Sequence, residues 1–135
     1  MSMSQPTTTE ARDRVLIIDD ARTTRLHLQL MLSVAYDCSV ADNGSAGVEL
    51  ARTLAPPPRA ILLDVQMPGI SGVETLKRLK GDDALRGIPV IMVTARGEEE
   101  IVRACQAAGC DAYVTKPVQN GELFTLLRAL LNPGR

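Results

Sequence analysis

The nine residues Ile61-Leu62-Leu63-Asp64-Val65-Gln66-Met67-Pro68-Gly69 decide the fold. With Ala60 before them, the first three form an apolar run without polar alternation, which is typical of a strand buried on both faces of a parallel sheet. Asp64 ends this run, and Pro68-Gly69 is a turn signal shortly after it. Core packing does not require a carboxylate at this point, so Asp64 is a candidate functional residue.

Short apolar runs predict four more strands, over residues 14–18, 38–41, 88–93 and 112–115. A helix is predicted after each strand, over residues 21–35, 44–54, 71–79, 98–108 and 119–131. Five alternations of strand and helix indicate an α/β fold with right-handed crossovers. We expect a doubly wound, five-stranded parallel sheet of the flavodoxin-like (βα)5 type, covered by helices on both faces as a three-layer sandwich.

The first helical segment has an ambiguous pattern. Four leucines alternate between residues 26 and 32 as they would in a strand. The length of the segment and the absence of Gly or Pro favour a helix. The buried face of that helix is predicted to carry Leu28, Met31, Leu32 and Ala35.

Several helix ends have recognisable capping residues. Asn43 is expected to cap the second helix, and Ser71 with Glu74 forms a capping-box pair at the third. Three consecutive glutamates, residues 98–100, are interpreted as solvated side chains that favour the positive dipole end of the fourth helix. Gly109 is expected to end that helix in a left-handed conformation.

Polar residues stand at the carboxyl ends of four predicted strands. In doubly wound folds the ligand site lies outside these ends. We therefore expect one crevice to contain Asp19, Asp20, Asp64, Thr94 and Lys116.

Three carboxylates in one crevice repel one another and require a cation. Ligands that are all oxygen suit Mg²⁺, or Mn²⁺, better than Zn²⁺. Asp64, alone on the middle strand, is then placed as a nucleophile that forms an acyl phosphate. Lys116 would balance one phosphoryl oxygen, the metal another, and the Thr94 hydroxyl with a backbone amide a third, because phosphoryl transfer depends mainly on positioning and on charge neutralisation.

Composition excludes other classes of function. The chain of 135 residues carries a formal net charge of -1 and an aromatic content of 2%, so it has neither the basic surface nor the stacking platforms of a nucleic-acid-binding protein. Three cysteines without metal-type spacing favour reduced thiols in the cytoplasm. No apolar run approaches the length of a membrane span.

The domain is predicted to cover residues 14–131. Residues 1–13 are polar and Thr-rich, so they are interpreted as a disordered leader, and residues 132–135 as a short tail. The starting Met1 and the short tail mildly favour a stand-alone protein over a domain cut from a longer chain.

Four fragments together resemble the receiver domain of bacterial two-component response regulators, of the chemotaxis-receiver type. They are Ile18-Asp19-Asp20, Leu63-Asp64-Val65-Gln66-Met67-Pro68, Val93-Thr94-Ala95 and Tyr113-Val114-Thr115-Lys116-Pro117. The resemblance covers roughly residues 15–131, with each fragment placed after a predicted strand.

The resemblance implies a role for each of these residues. Asp64 would accept a phosphoryl group from a histidine kinase or a histidine phosphotransfer protein. Its metal ligands would be the side chains of Asp20 and Asp64, Asp19 directly or through water, and the backbone carbonyl of Gln66. Thr94 and Tyr113 would form a switch pair, and Lys116 would be aimed inward by a cis peptide bond to Pro117. An output protein would bind the surface of the fourth helix, fifth strand and fifth helix.

Two other functions compete with a signalling phosphoacceptor. A pseudo-receiver would be an interaction module without phosphorylation, although the acidic set and Lys116 are complete. An aspartyl-phosphate phosphatase would want a second acid two residues after the nucleophile, where this chain has Gln66. Gln66 and Arg96 stand at positions that vary within the family, and we expect them to slow phosphoryl hydrolysis relative to small residues. The only histidine, His27, is rejected as a phosphodonor, and Arg25 is interpreted as a surface residue.

Overall fold

The computed structural model describes residues 12–67 and 69–132. Five strands form one parallel sheet: β1 (Arg14–Ile18), β2 (Asp37–Ala41), β3 (Ala60–Asp64), β4 (Val90–Thr94) and β5 (Ala112–Thr115). Five helices alternate with them: α1 (Arg22–Leu32), α2 (Gly44–Thr53), α3 (Gly72–Lys80), α4 (Glu99–Ala107) and α5 (Asn120–Leu131). The strand order is β2-β1-β3-β4-β5, with every pairing parallel. The predicted doubly wound α/β fold is confirmed.

The two faces of the sheet carry separate apolar cores. On β1, Val15 and Ile17 face the core beneath α1 and α5, whereas Leu16 and Ile18 face the core beneath α2, α3 and α4. Successive side chains of a strand point to opposite faces, so an unbroken apolar run is what a central strand covered on both sides needs. All five residues of β3 and of β4 are buried for the same reason. The three-layer arrangement follows from these two cores.

The prediction for the buried face of α1 was wrong at Ala35. Leu28 and Leu32 are buried, but the helix ends at Leu32 and Ala35 is exposed. The backbone N–H of Tyr36 returns to the Leu32 carbonyl at 2.9 Å, and the Tyr36 ring stacks on Phe124 of α5 with centroids 5.9 Å apart. The chain therefore leaves the helix before Ala35 reaches the core, and Tyr36 fills that space.

Most of the predicted caps are present. The Asn43 side chain accepts a hydrogen bond from the Ala46 amide at 2.8 Å, and Ser71 accepts one from the Glu74 amide at 3.1 Å. Gly109 has a φ of +99°, the left-handed conformation expected after α4.

The Lys80 ammonium forms a network of hydrogen bonds and one ion pair at the end of the sheet where β4 and β5 begin. The Lys80 ammonium at the end of α3 donates to the Arg86 and Ile88 carbonyls at 3.1 and 3.0 Å, and it pairs with Asp111 at 3.0 Å. The same Asp111 oxygen accepts the Val90 amide at 2.8 Å. One lysine and one aspartate thus join α3 to the start of two strands.

The predicted leader of residues 1–13 lies mostly outside the described residues, as do residues 133–135 of the predicted tail. The last two residues of the predicted leader contact the domain. Arg12 donates to the Ser33 carbonyl at 2.8 Å, and Asp13 pairs with Arg59 at 3.0 Å. Contacts within the domain therefore include residues 12 and 13, two residues before the predicted boundary. Across residues 12–67 and 69–132, none of the helices combines the length and apolarity needed to cross a bilayer.

Candidate functional site

Three carboxylates converge where β1 and β3 end. Asp19 and Asp20 follow β1, Asp64 is the last residue of β3, and these two strands are neighbours in the sheet. One carboxylate oxygen from each lies within 4.8 Å of those from the other two. Asp19 and Asp64 are buried, and Asp20 is exposed at the rim. The structure thus brings together the acidic residues selected from the sequence.

Asp19 is held in an unfavourable electrostatic position. Its side chain is only 1% exposed, and one oxygen accepts the Ala21 amide at 2.8 Å. The other oxygen is buried, with no hydrogen-bond partner among the described residues. Burial, opposed by the Ala21 hydrogen bond and reinforced by the charge of Asp64, raises the pKa of Asp19 to about 6. A buried carboxylate oxygen without a donor requires a proton or a cation.

The donor set fits a hard divalent cation. All three side chains offer a carboxylate oxygen, and one member of this cluster, Asp19, has a buried oxygen without a hydrogen-bond partner among the described residues. The free thiols of Cys38, Cys105 and Cys110 are not part of this cluster. Oxygen ligands alone, with one residue at the open rim, suit Mg²⁺ or Mn²⁺ rather than Zn²⁺.

Lys116 supplies a positive charge next to Asp64. Its ammonium lies 3.2 Å from one oxygen of Asp64, which is itself only 5% exposed. The Lys116–Pro117 peptide bond is cis, as the resemblance implies, and the Lys116 amide donates to the Thr94 carbonyl at 2.8 Å. The ends of β3, β4 and β5 are thereby linked around one carboxylate.

Thr94 and Tyr113 lie on the side of the site that faces α4. Thr94 is buried, with 2% of its surface exposed, whereas Tyr113 is 43% exposed. Both residues, together with Arg96, line an open cavity of about 320 Å³ between the β4–α4 loop and β5. The buried threonine and the exposed aromatic ring therefore border the same space.

Glu98 takes part in the site, although its sequence pattern suggested only a solvated helix start. One of its carboxylate oxygens accepts the Gln66 side-chain amide at 2.7 Å, and the other accepts the Ala95 backbone amide at 3.1 Å. Gln66 and Glu98 are 32 residues apart in sequence. No local spacing marks this contact, because the sheet brings the β3–α3 and β4–α4 loops together.

Gly72 and Arg25 also support the site in ways that their sequence context did not indicate. A Cβ at Gly72 would lie 2.6 Å from the Val65 Cα and would also meet the Asp64 carbonyl, so α3 starts directly against the backbone that carries Asp64. Arg25, interpreted above as a surface residue, donates to the Asp19 carbonyl at 2.8 Å. Gly72 packs against backbone atoms, and Arg25 binds a backbone carbonyl. Contacts of this kind produce no recognisable pattern of side chains in the sequence.

Residues 15–128 match the family model described as response regulator receiver domain. The chain is 39% identical over 118 residues to the phosphate regulon transcriptional regulatory protein PhoB of Pseudomonas aeruginosa, a match that covers 87% of this chain and 51% of PhoB. It is 37% identical over 121 residues to the polar-differentiation response regulator DivK of Brucella anthropi, covering 87% of this chain and 94% of DivK. The chain thus spans about half of the first relative and nearly all of the second.

The fold is also shared with solved receiver domains. The receiver domain of the sensor histidine kinase PA1611 from Pseudomonas aeruginosa superposes with a TM-score of 0.81 at 24% identity, over 90% of this chain and all of that one. That structure is described with a magnesium ion coordinated in its active-site cleft. At this identity the similarity concerns the fold.

Proposed function

The chain belongs to the family of response regulator receiver domains, and we propose that it accepts a phosphoryl group on Asp64 in two-component signal transduction. One observation carries the proposal: the Asp64 carboxylate has the Lys116 ammonium at 3.2 Å and also belongs to one cluster with the acidic side chains of Asp19 and Asp20. A structural ion pair would not need two further carboxylates beside it. A nucleophile that must take up an anionic group needs cationic neutralisation from two directions.

In the proposed transfer, a carboxylate oxygen of Asp64 attacks the phosphorus of a phosphohistidine. An oxygen–phosphorus bond forms, the phosphorus–nitrogen bond breaks, and its electron pair returns to the imidazole nitrogen. Lys116 would move from the Asp64 oxygen toward an oxygen of the transferred group. Burial of Asp64, which is only 5% exposed, limits the access of water to its carboxylate.

Asp19, Asp20, Asp64 and the backbone carbonyl of Gln66 would hold Mg²⁺, with Mn²⁺ as a substitute. When bound, the ion supplies charge neutralisation and a fixed position for a phosphoryl oxygen. Asp19 would remain ionised once a cation faces its buried oxygen. The magnesium described in the PA1611 receiver domain supports this assignment for the shared fold.

Thr94 and Tyr113 would transmit phosphorylation to the surface. The Thr94 hydroxyl would turn toward the phosphoryl group, and the half-exposed Tyr113 ring would move into the space beside it. The responding surface would consist of α4, β5 and α5. The phosphodonor would be a histidine kinase or a histidine phosphotransfer protein, and an output protein would bind the altered surface.

We place this activity in the cytoplasm, as a signalling phosphoacceptor that assists its own phosphorylation rather than an enzyme acting on separate substrates. The free thiols agree with a reducing compartment, and burial raises the pKa of Cys105 to about 11, so this thiol is unreactive. Contact with nucleic acid or with a membrane is not part of the proposal.

The test is incubation with acetyl phosphate and Mg²⁺, followed by intact-mass analysis. Wild type is expected to gain the mass of one phosphoryl group, and the Asp64→Asn variant and a sample with excess chelator are expected to gain none. Circular dichroism and thermal unfolding of Asp64→Asn control for folding. A wild type without an Asp64-dependent gain would instead support a pseudo-receiver that binds its partner without phosphorylation.

A further inference from the structure

Glu98 stands at the N-terminal boundary of α4 but does not cap that helix. Its φ and ψ are -103° and 52°, and its side chain makes no capping hydrogen bond to the first turn. Its carboxylate instead contacts Gln66 at 2.7 Å and the Ala95 amide at 3.1 Å. An acidic residue at this position normally stabilises the helix start, so its use elsewhere suggests another role.

The Ala95 amide is the group of interest, because Ala95 directly follows Thr94. In the proposed transfer, the Thr94 hydroxyl and an adjacent backbone amide would receive an oxygen of the phosphoryl group. In the described structure the Ala95 amide is already occupied by an anionic oxygen, that of Glu98. A carboxylate and a phosphoryl oxygen compete for the same kind of donor, since both are charged acceptors.

We infer that Glu98 acts as an internal competitor of the phosphoryl group: its carboxylate occupies the Ala95 amide and fixes Gln66, which holds the β4–α4 loop in its unphosphorylated arrangement. Phosphorylation of Asp64 would displace Glu98 from Ala95 and free the loop that leads into α4. Glu98 is thus a positioning residue, which acts through the loop and not on the reacting atoms. This inference rests on the proposed phosphorylation of Asp64.

Glu99 provides a matched control. It lies one residue further along, is exposed, and carries the same charge at the same helix start, but its side chain takes no part in a hydrogen bond among the described residues. Glu98→Ala and Glu99→Ala therefore remove the same charge from the same helix start, and only the first removes the contacts with Gln66 and Ala95. Glu98→Gln retains an oxygen that can accept the Ala95 amide, but without the negative charge.

The first measurement is the rate of phosphorylation by acetyl phosphate with Mg²⁺, followed by intact mass. We expect Glu98→Ala to be faster than Glu99→Ala by roughly 3- to 10-fold, the effect of removing one competing charge-assisted hydrogen bond, with Glu98→Gln in between. Thermal unfolding confirms that each variant is folded. Equal rates for Glu98→Ala and Glu99→Ala would overturn the inference while leaving the proposed function intact.

The second measurement is amide NMR of the unphosphorylated protein. The Ala95 amide and the Gln66 side-chain amide are expected to shift in Glu98→Ala and to stay in place in Glu99→Ala, because only the first loses both acceptors. Unshifted signals in Glu98→Ala would contradict the resting contact itself. A wild type that gains no phosphoryl mass would refute the proposed function and, with it, the competition, so the two failures give different results.

Discussion

The two ends of the sheet differ in how their charged side chains are paired. At the end where β4 and β5 begin, the Lys80 ammonium has three acceptors, and its partner Asp111 also accepts the Val90 amide. At the opposite end, three carboxylates lie close together, Asp64 among them pairs with the Lys116 ammonium, and an oxygen of Asp19 has no partner among the described residues. Satisfied charges stabilise a fold, whereas crowded like charges oppose it. The second arrangement is the one that the proposed binding of a cation and a phosphoryl group would need.

The largest loss of stability is expected for a substitution at the start of α3, where this helix packs directly against the backbone of the site. Gly72→Ala would drive a Cβ into the Asp64 carbonyl and the Val65 Cα, and backbone cannot move aside as a flexible side chain can. We expect a loss of about 3 kcal/mol or more in the free energy of unfolding, measured by urea denaturation. Gly121→Ala is the control, because a Cβ there meets nothing within 4 Å and should be neutral or slightly stabilising. Similar losses in both variants would contradict a tight contact beneath Asp64.

A pH titration tests the cost of crowding at the site. The folded pKa of Asp19, about 6, lies above its ordinary value of 3.8, so the folded state binds this proton more tightly than the unfolded state. Without divalent cations, the contribution of Asp19 to the free energy of unfolding should therefore be most favourable below about pH 4. It should decrease by about 3 kcal/mol as pH rises through 6.

Comparison with Asp19→Asn isolates this contribution, because asparagine does not titrate. The difference between the two unfolding free energies should change between pH 4 and 7, and Mg²⁺ should reduce the change by stabilising the ionised wild type. Parallel curves for the two proteins would show that Asp19 has an ordinary pKa in the fold.

The opposite end of the sheet should respond in stability but not in chemistry. Asp111→Ala removes a partner of Lys80 and leaves the buried Val90 amide without its acceptor, at a cost of about 2 kcal/mol. Asp83→Ala breaks only an exposed ion pair with Arg86 and should cost about 0.5 kcal/mol or less. Phosphorylation by acetyl phosphate at a temperature where both variants are folded should match wild type. A slower Asp111→Ala would mean that the two ends are not independent.

The smallest effect concerns Arg96 at the rim of the site. Its exposed side chain lines the cavity beside Thr94, where it can shield a phosphoryl group from water. Arg96→Ala should hydrolyse its phosphoryl group about 2- to 5-fold faster, which corresponds to less than 1.4 kcal/mol in the barrier. Arg103→Ala, which lines the same cavity further from Thr94 in sequence, is the control. Decay at the wild-type rate in Arg96→Ala would remove the shielding role.

The sequence alone determined the layout of the domain and the membership of the acidic cluster. Unbroken apolar runs identify strands covered on both faces, and parallel strands in a doubly wound sheet must bring their carboxyl ends to one edge. The sequence therefore predicted the residues of the site from their positions after predicted strands: Asp19, Asp20, Asp64, Thr94 and Lys116. The capping residues Asn43 and Ser71 could also be predicted from the sequence, because a capping side chain contacts a backbone amide only three residues further along the chain.

Only the tertiary structure decided which residues support that cluster. The helical periodicity of the sequence did not predict that α1 ends at Leu32. Because the helix ends there, Tyr36 rather than Ala35 fills the core. The periodicity also did not predict that Glu98 reaches Gln66, or that Gly72 touches the backbone at Asp64. These contacts join segments that are distant in the chain, or involve backbone atoms common to every residue. Local patterns record the secondary structure and its ends, whereas contacts between loops depend on how the finished sheet brings those loops together.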